Sequence, residues 1–206
     1  MRTRSGSSDE DNFYLSGPTH DLINAIDWPN PHHRRPVASS LFQGVYVLEG
    51  DRQQKRQGPQ ALAPPWWNVF NFKLKEVLKD NGDMSLFGAV YEFQNPIHPA
   101  IEIPKYFIAF RGTLIEPDTR SQDFKLDLQC FCNTIHQSSR FQVAIRTVQK
   151  FVDAAGAPNI WLTRHSLGSA IALLAGKNTS KMGCFLETYL FNPPFISYLI
   201  VSLYQG

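Results

Sequence analysis

The segment Trp161-Leu162-Thr163-Arg164-His165-Ser166-Leu167-Gly168, with the apolar small-residue run Ser169 to Ala175 behind it, constrains this chain more than any other. It reads as a buried strand, a sharp turn carrying a serine, and a helix packed back on a sheet. The turn follows the G-x-S-x-G pattern, which holds a serine exposed on a strained strand-to-helix corner. One position departs from it: Arg164 stands where the pattern has its first glycine. The same five residues therefore indicate nucleophilic serine chemistry and disturb the turn that supports it.

The chain has 206 residues, which suits one domain. A chain of that length buries roughly 70% of its unfolded surface. A hydrophobic fraction of 43% with 15 Phe is enough to fill such a core. The formal charge of +2, from 20 basic and 18 acidic residues, gives no argument for nucleic acid or an anionic membrane as partner. The three cysteines, Cys130, Cys132 and Cys184, make no disulfide framework and no zinc pattern, and the histidines form no ligand spacing, so no metal is expected. The polar start lacks the apolar core of a secretory signal, and no window has the length to span a bilayer. The expectation is a cytoplasmic protein with no transmembrane segment.

Periodicity sets out the elements. Residues 1–17 read as a flexible lead-in, and residues 18–206 as a single domain. Thr19 or Asp21 caps a short turn with Leu22, Ile23 and Ile26. Val37, Leu41, Val45 and Leu48 predict a helix opening at Pro36 and fading after Asp51. Trp67, Phe70, Leu74, Val77 and Leu78 predict a second helix from Pro65 to Asn81-Gly82. Strands are expected at Leu86–Phe93 and Lys105–Phe110, then a helix from Ser138 or Ser139 to Gly156. A strand at Asn159–Thr163, a helix from Leu167 to about Lys181 and a strand at Phe185–Phe191 follow. Alternating strands and helices imply an α/β fold with a mainly parallel sheet flanked by helices and a helical N-terminal region.

A serine hydroxyl is a weak nucleophile and needs a base, an orienting carboxylate and an oxyanion hole. Ser166 sits between a strand and a helix N-terminus, where backbone N–H groups face developing negative charge. In this layout the N–H of the following residue, Leu167, is one oxyanion donor, and the second comes from the loop after an earlier strand. Ile108-Ala109-Phe110-Arg111-Gly112-Thr113 supplies that loop, with Thr113 offering an N–H and a hydroxyl. A phosphate-binding loop is the competing reading of a glycine-bearing turn. It fails, because Gly176-Lys177 lies at the wrong end of its helix and is followed by Asn178.

Phe110-Arg111-Gly112-Thr113, Asp127-Leu128, His165-Ser166-Leu167-Gly168 and Phe191-Asn192-Pro193-Pro194 together resemble the plant branch of class 3 (fungal-type) lipases. These are α/β-hydrolases of a group often labelled GDSL esterase/lipase-like. Ser16-Gly17-Pro18, Asp27-Trp28, His33-Arg34-Arg35 and Ala63-Pro64-Pro65-Trp66-Trp67 are similar to that group as well, so the resemblance runs from about residue 16 to 196. It implies a partial α/β-hydrolase fold, Ser166 as nucleophile, Thr113 and Leu167 as the oxyanion hole, an acyl-ester or lipid substrate, and no cofactor.

The family places its Asp and then its His after the serine. Downstream of Ser166 this chain has no Asp and no His, and Glu187 is the sole acid. His165 points away from its neighbour at such a turn and is expected to be a buried structural residue. Of the upstream histidines, His136, near a helix start, is the least implausible base. Arg164 adds a Cβ and a long charged side chain where a strand and helix pack closely, which predicts a relaxed turn or a displaced neighbour. The run Ser197 to Gly206 closes without a helical cap or polar tail and reads as a chain stopped midway through an α/β fold. Two expectations follow: a lipase/esterase-like serine hydrolase by ancestry, impaired in this chain, or a non-catalytic α/β-hydrolase remnant acting as a binding or interaction protein.

Overall fold

In a computed structural model of the chain, residues 9–94, 103–112, 138–165, 183 and 185–191 are described. Helix α1 (Phe13–Ser16) and helix α2 (His20–Asn24) precede the long helix α3 (Pro31–Gln54). The short α4 (Pro65–Asn68) leads into strands β1 (Phe72–Lys79), β2 (Leu86–Phe93) and β3 (Tyr106–Phe110). Helix α5 (Ser139–Ala155), strand β4 (Ile160–His165) and strand β5 (Glu187–Phe191) complete the described elements.

The five strands form one sheet in the order β1-β2-β3-β4-β5. β1 with β2 and β2 with β3 are antiparallel; β3 with β4 and β4 with β5 are parallel. The sheet is therefore mixed, where a mainly parallel one was expected. Its hairpin half arises where no helix separates consecutive strands, and its parallel half where α5 carries the chain back from β3 to β4. An α/β arrangement results, with helices on both faces.

Side-chain alternation divides the core between those faces. Phe107, Ala109 and Trp161 join Val37, Ala38, Leu41 and Val45 of α3 in one cluster. Tyr106, Ile108, Phe110, Ile160 and Leu162 point the other way and meet Phe141, Ala144, Val148, Phe151 and Val152 of α5. Those α5 residues recur at helical spacing. Its ends are set by Ser138, whose Oγ accepts from the Phe141 N–H at 3.2 Å, and by Gly156 at φ 82°.

Three elements differ from the sequence reading. The expected helix over 65–82 is one turn followed by β1. Asn71 takes a left-handed φ of 60° and ends the helix. A bulge between Leu74 and Glu76 then inserts a residue in β1. Phe72 and Leu74 thus pack on the α3 side while Leu78 packs on the α5 side. The extra residue breaks the period of two and leaves apolar spacings that imitate a helix. Helix α3 begins at Pro31, because Asn30 Oδ1 caps the His32 N–H at 2.9 Å and the proline suits the first helical position. Residues 9–17 are not a loose lead-in: Phe13 is buried edge-on against Trp66, 5.2 Å between ring centroids.

Gly44 marks the closest approach of α3 to the layers around it. A Cβ there would lie 3.1 Å from Tyr91 Oη and 3.2 Å from atoms of Trp66 and Trp67. Gly44→Val should therefore destabilise the fold by about 1–3 kcal/mol through overpacking, although glycine is a poor helix former. Urea unfolding followed by circular dichroism measures it; unchanged stability would show that the three aromatic neighbours yield freely.

Candidate active site

β3 and β4 run side by side and in the same direction, with Phe110 opposite Arg164. Their carboxyl ends therefore reach one edge of the sheet, the edge where α/β sheets place their ligand crevices. Arg111-Gly112 leaves β3 there, and His165 ends β4 beside it. The motifs Phe110-Arg111-Gly112-Thr113 and His165-Ser166-Leu167-Gly168 are brought together up to Gly112 and His165. Ser166, Leu167 and Thr113 lie outside the described residues, as do Asp127-Leu128, Asn192-Pro193-Pro194, His98, His136 and the three cysteines.

Alternation on β4 sets the two residues before the serine on opposite faces. Thr163 faces α3, where its Oγ1 donates to the Ala38 carbonyl at 3.0 Å. His165 shares that face. Its ring stacks on Phe42 of α3 at 5.2 Å and 16°, and its Nδ1 lies 3.2 Å from Tyr46 Oη. Burial pushes the imidazole below its ordinary pKa, so it is held neutral. A buried structural histidine was expected here; the ring is half-buried and packs on the α3 side. Among the other described histidines, His20 bonds Asn24 and His33 accepts from the Asp27 N–H, each within the N-terminal segment.

Arg164 faces α5 and is fully buried. None of its Nε, Nη1 and Nη2 atoms meets a hydrogen-bond partner among the described residues. The guanidinium carbon stands 4.8 Å from the centre of the Phe110 ring. Burial drives its pKa well below the usual arginine range. A residue that water would solvate thus sits in the apolar layer directly before the serine turn.

The other arginine of the site is better held. Arg111 is buried, its backbone N–H donates to the Phe87 carbonyl at 3.0 Å, and its Nε donates to the Leu86 carbonyl. The Leu86 N–H in turn donates to Glu49 of α3 at 2.9 Å. Burial lowers the Arg111 pKa, which the Glu49 charge opposes. Sequence reasoning missed Tyr46, Phe42 and Glu49, which lie off or beside the apolar stripe of α3. The available signal was the aromatic pair at i and i+4, Phe42 and Tyr46, a spacing that puts both rings on one helix face.

A groove of about 620 Å³ opens beside this edge, lined by Pro18, Leu22, Pro36, Phe42, Trp66 and Phe191 among others. Phe42 and Phe191 connect it to His165, their rings 5.0 Å apart. The hydroxyl protons of Ser16, Ser39 and Ser40 along its wall go to backbone carbonyls, which leaves the lining largely apolar. Among the described residues no group of three His, Cys, Asp or Glu side chains could hold a metal ion. No helix among them is long and apolar enough to cross a membrane.

No family model matches the chain, and no solved structure matches it. A GDSL esterase/lipase of Arabidopsis thaliana is 43% identical to it over 197 residues, covering 92% of this chain and 56% of the relative. The chain thus spans about half the length of that curated protein. The likeness to that protein extends over almost the whole of this chain.

Proposed function

We propose that the chain is a serine hydrolase of the class 3 lipase kind, acting on acyl esters of lipids, with its activity impaired by Arg164. The observation that carries this reading is the meeting of two strand ends. Gly112 and His165, each one residue before a proposed catalytic group, both lie within hydrogen-bond distance of the same Tyr46 hydroxyl. Ser166 Oγ attacks the acyl carbonyl carbon, and the carbonyl oxygen takes up the negative charge. The N–H groups of Leu167 and Thr113 stabilise that charge, and collapse breaks the ester C–O bond, the leaving oxygen taking a proton from water to depart as the alcohol. Water then hydrolyses the acyl-serine. The acyl portion fits the apolar groove beside Phe42 and Phe191.

The proton of Ser166 needs an acceptor. In this reading His165 does not serve, because its ring packs on the α3 side against Phe42 and Tyr46. The residues after Ser166 in this chain offer no Asp or His. A second reading, a non-catalytic protein that binds lipid or a partner, is favoured by one observation: the buried Arg164, two residues before Ser166, has no hydrogen-bond partner for its guanidinium among the described residues.

A serine-directed fluorophosphonate probe separates the two. We expect slow labelling of the folded chain that Ser166→Ala abolishes. Absence of labelling in a folded sample would rule out catalysis by this chain and favour the binding role.

A further inference from the structure

Tyr46 projects from α3 and touches both chain exits. Its Oη accepts from the Gly112 N–H at 2.9 Å and lies 3.2 Å from His165 Nδ1. A phenol has one proton. With Gly112 donating to the oxygen, the phenol proton is available to His165, an arrangement in which Tyr46 donates and Nδ1 accepts. In that arrangement the imidazole is the tautomer protonated on Nε2. Burial keeps the phenol above its ordinary pKa, opposed by the Gly112 hydrogen bond and the Arg111 charge, and so protonated. The Arg111 guanidinium lies 5.9 Å from the Tyr46 ring centre, and Phe42 packs on the ring from one helical turn away.

The last ladder pair between β3 and β4 is Phe110 with Arg164. Beyond it, among the described residues, the Tyr46 hydroxyl is what joins the two exits. We propose that Tyr46 is a positioning residue for ester cleavage. It ties Gly112, which precedes the proposed oxyanion residue Thr113, to His165, which precedes the proposed nucleophile Ser166. The proposal rests on the serine-hydrolase reading above. Such constellations tolerate only about 0.5 Å of error, and a displacement near 1 Å lowers rates about 10²-fold. Tyr46→Phe keeps the ring and removes the bridge.

The test uses the full chain, a fluorophosphonate probe and histidine labelled with nitrogen-15. In the unaltered protein, NMR should report His165 with bare Nδ1 and protonated Nε2. Tyr46→Phe should mix the tautomers and slow labelling of Ser166 about 10- to 100-fold, a change that a packing role for the ring does not predict. Labelling of the two proteins at equal rates overturns the proposal alone. No labelling of the unaltered chain overturns the hydrolase reading, and the proposal with it. Should Tyr46→Phe fail to fold, hydrogen exchange of the Gly112 amide in the unaltered protein decides, and exchange at the rate of an unprotected amide overturns the bridge.

Discussion

Replacing Arg164 with methionine should stabilise the fold by about 2–4 kcal/mol. Three buried guanidinium nitrogens without acceptors among the described residues carry a desolvation penalty of several kcal/mol. The Phe110 ring at 4.8 Å returns at most about 2 kcal/mol as a cation–π contact. Methionine retains most of the volume beside Phe110 and Leu162 and removes the charge. In a domain of this size the gain corresponds to a rise of roughly 4–16 °C in Tm. Arg164→Gly should gain less, because a cavity opens where the side chain lay. It restores the G-x-S-x-G pattern, however, and should speed labelling of Ser166. Urea and thermal unfolding of the three proteins give the order Met above Gly above Arg. If Arg164→Met is no more stable than the parent, the guanidinium has a partner and the packing argument fails. If Arg164→Gly alters neither stability nor labelling, Arg164 is not what impairs the turn.

Glu49→Ala should act in the opposite direction, by about 2–3 kcal/mol. Glu49 is 4% exposed and accepts four hydrogen bonds: two from Arg52 at 2.7 and 2.6 Å, one from Gln53 at 2.8 Å and one from the Leu86 N–H at 2.9 Å. Arg52 is 40% exposed and regains water when the carboxylate is lost, which moderates the penalty. The Leu86 amide is at the buried start of β2 and loses its acceptor outright. Since the Leu86 carbonyl holds Arg111, the loss also loosens the chain leading to Gly112.

The same carboxylate gives a pH dependence. Burial pushes its pKa up, but the hydrogen bonds from Arg52, Leu86 and Gln53 outweigh that, and it lies below the ordinary glutamate value. A carboxyl more acidic in the folded than in the unfolded chain stabilises fully above the unfolded pKa of about 4.3. That contribution fades as pH falls through the folded value. Stability of the parent should therefore decline below about pH 5, and Glu49→Gln should show a shallower decline over the same range. Identical acid profiles by urea unfolding would remove Glu49 from the account.

The parts of the fold that local rules control were legible in the residues themselves. Ser138 and Gly156 bounded α5 because capping depends on one side chain and one backbone conformation. β2 was read to the residue, since its apolar run is interrupted only by turn signals. The register of β1 was hidden: its bulge shifts the side-chain alternation and is visible only once β2 is paired with it. The buried Phe13 was equally hidden, because nothing near it in the chain records that Trp66 will meet it.

At the site the division runs between chemistry and placement. The chain alone determined the serine turn, the Phe110-Arg111-Gly112-Thr113 loop and the departure at Arg164, because each is a property of consecutive residues. Tertiary structure decided which of these meet and what supports them. The parallel pairing of β3 with β4 put Gly112 and His165 at one edge, and α3 delivered Tyr46 between them from 66 and 119 residues away. It also turned Arg164 inward, onto Phe110, by the alternation of β4. Contacts between residues so distant depend on the packing of whole layers, which no local pattern encodes.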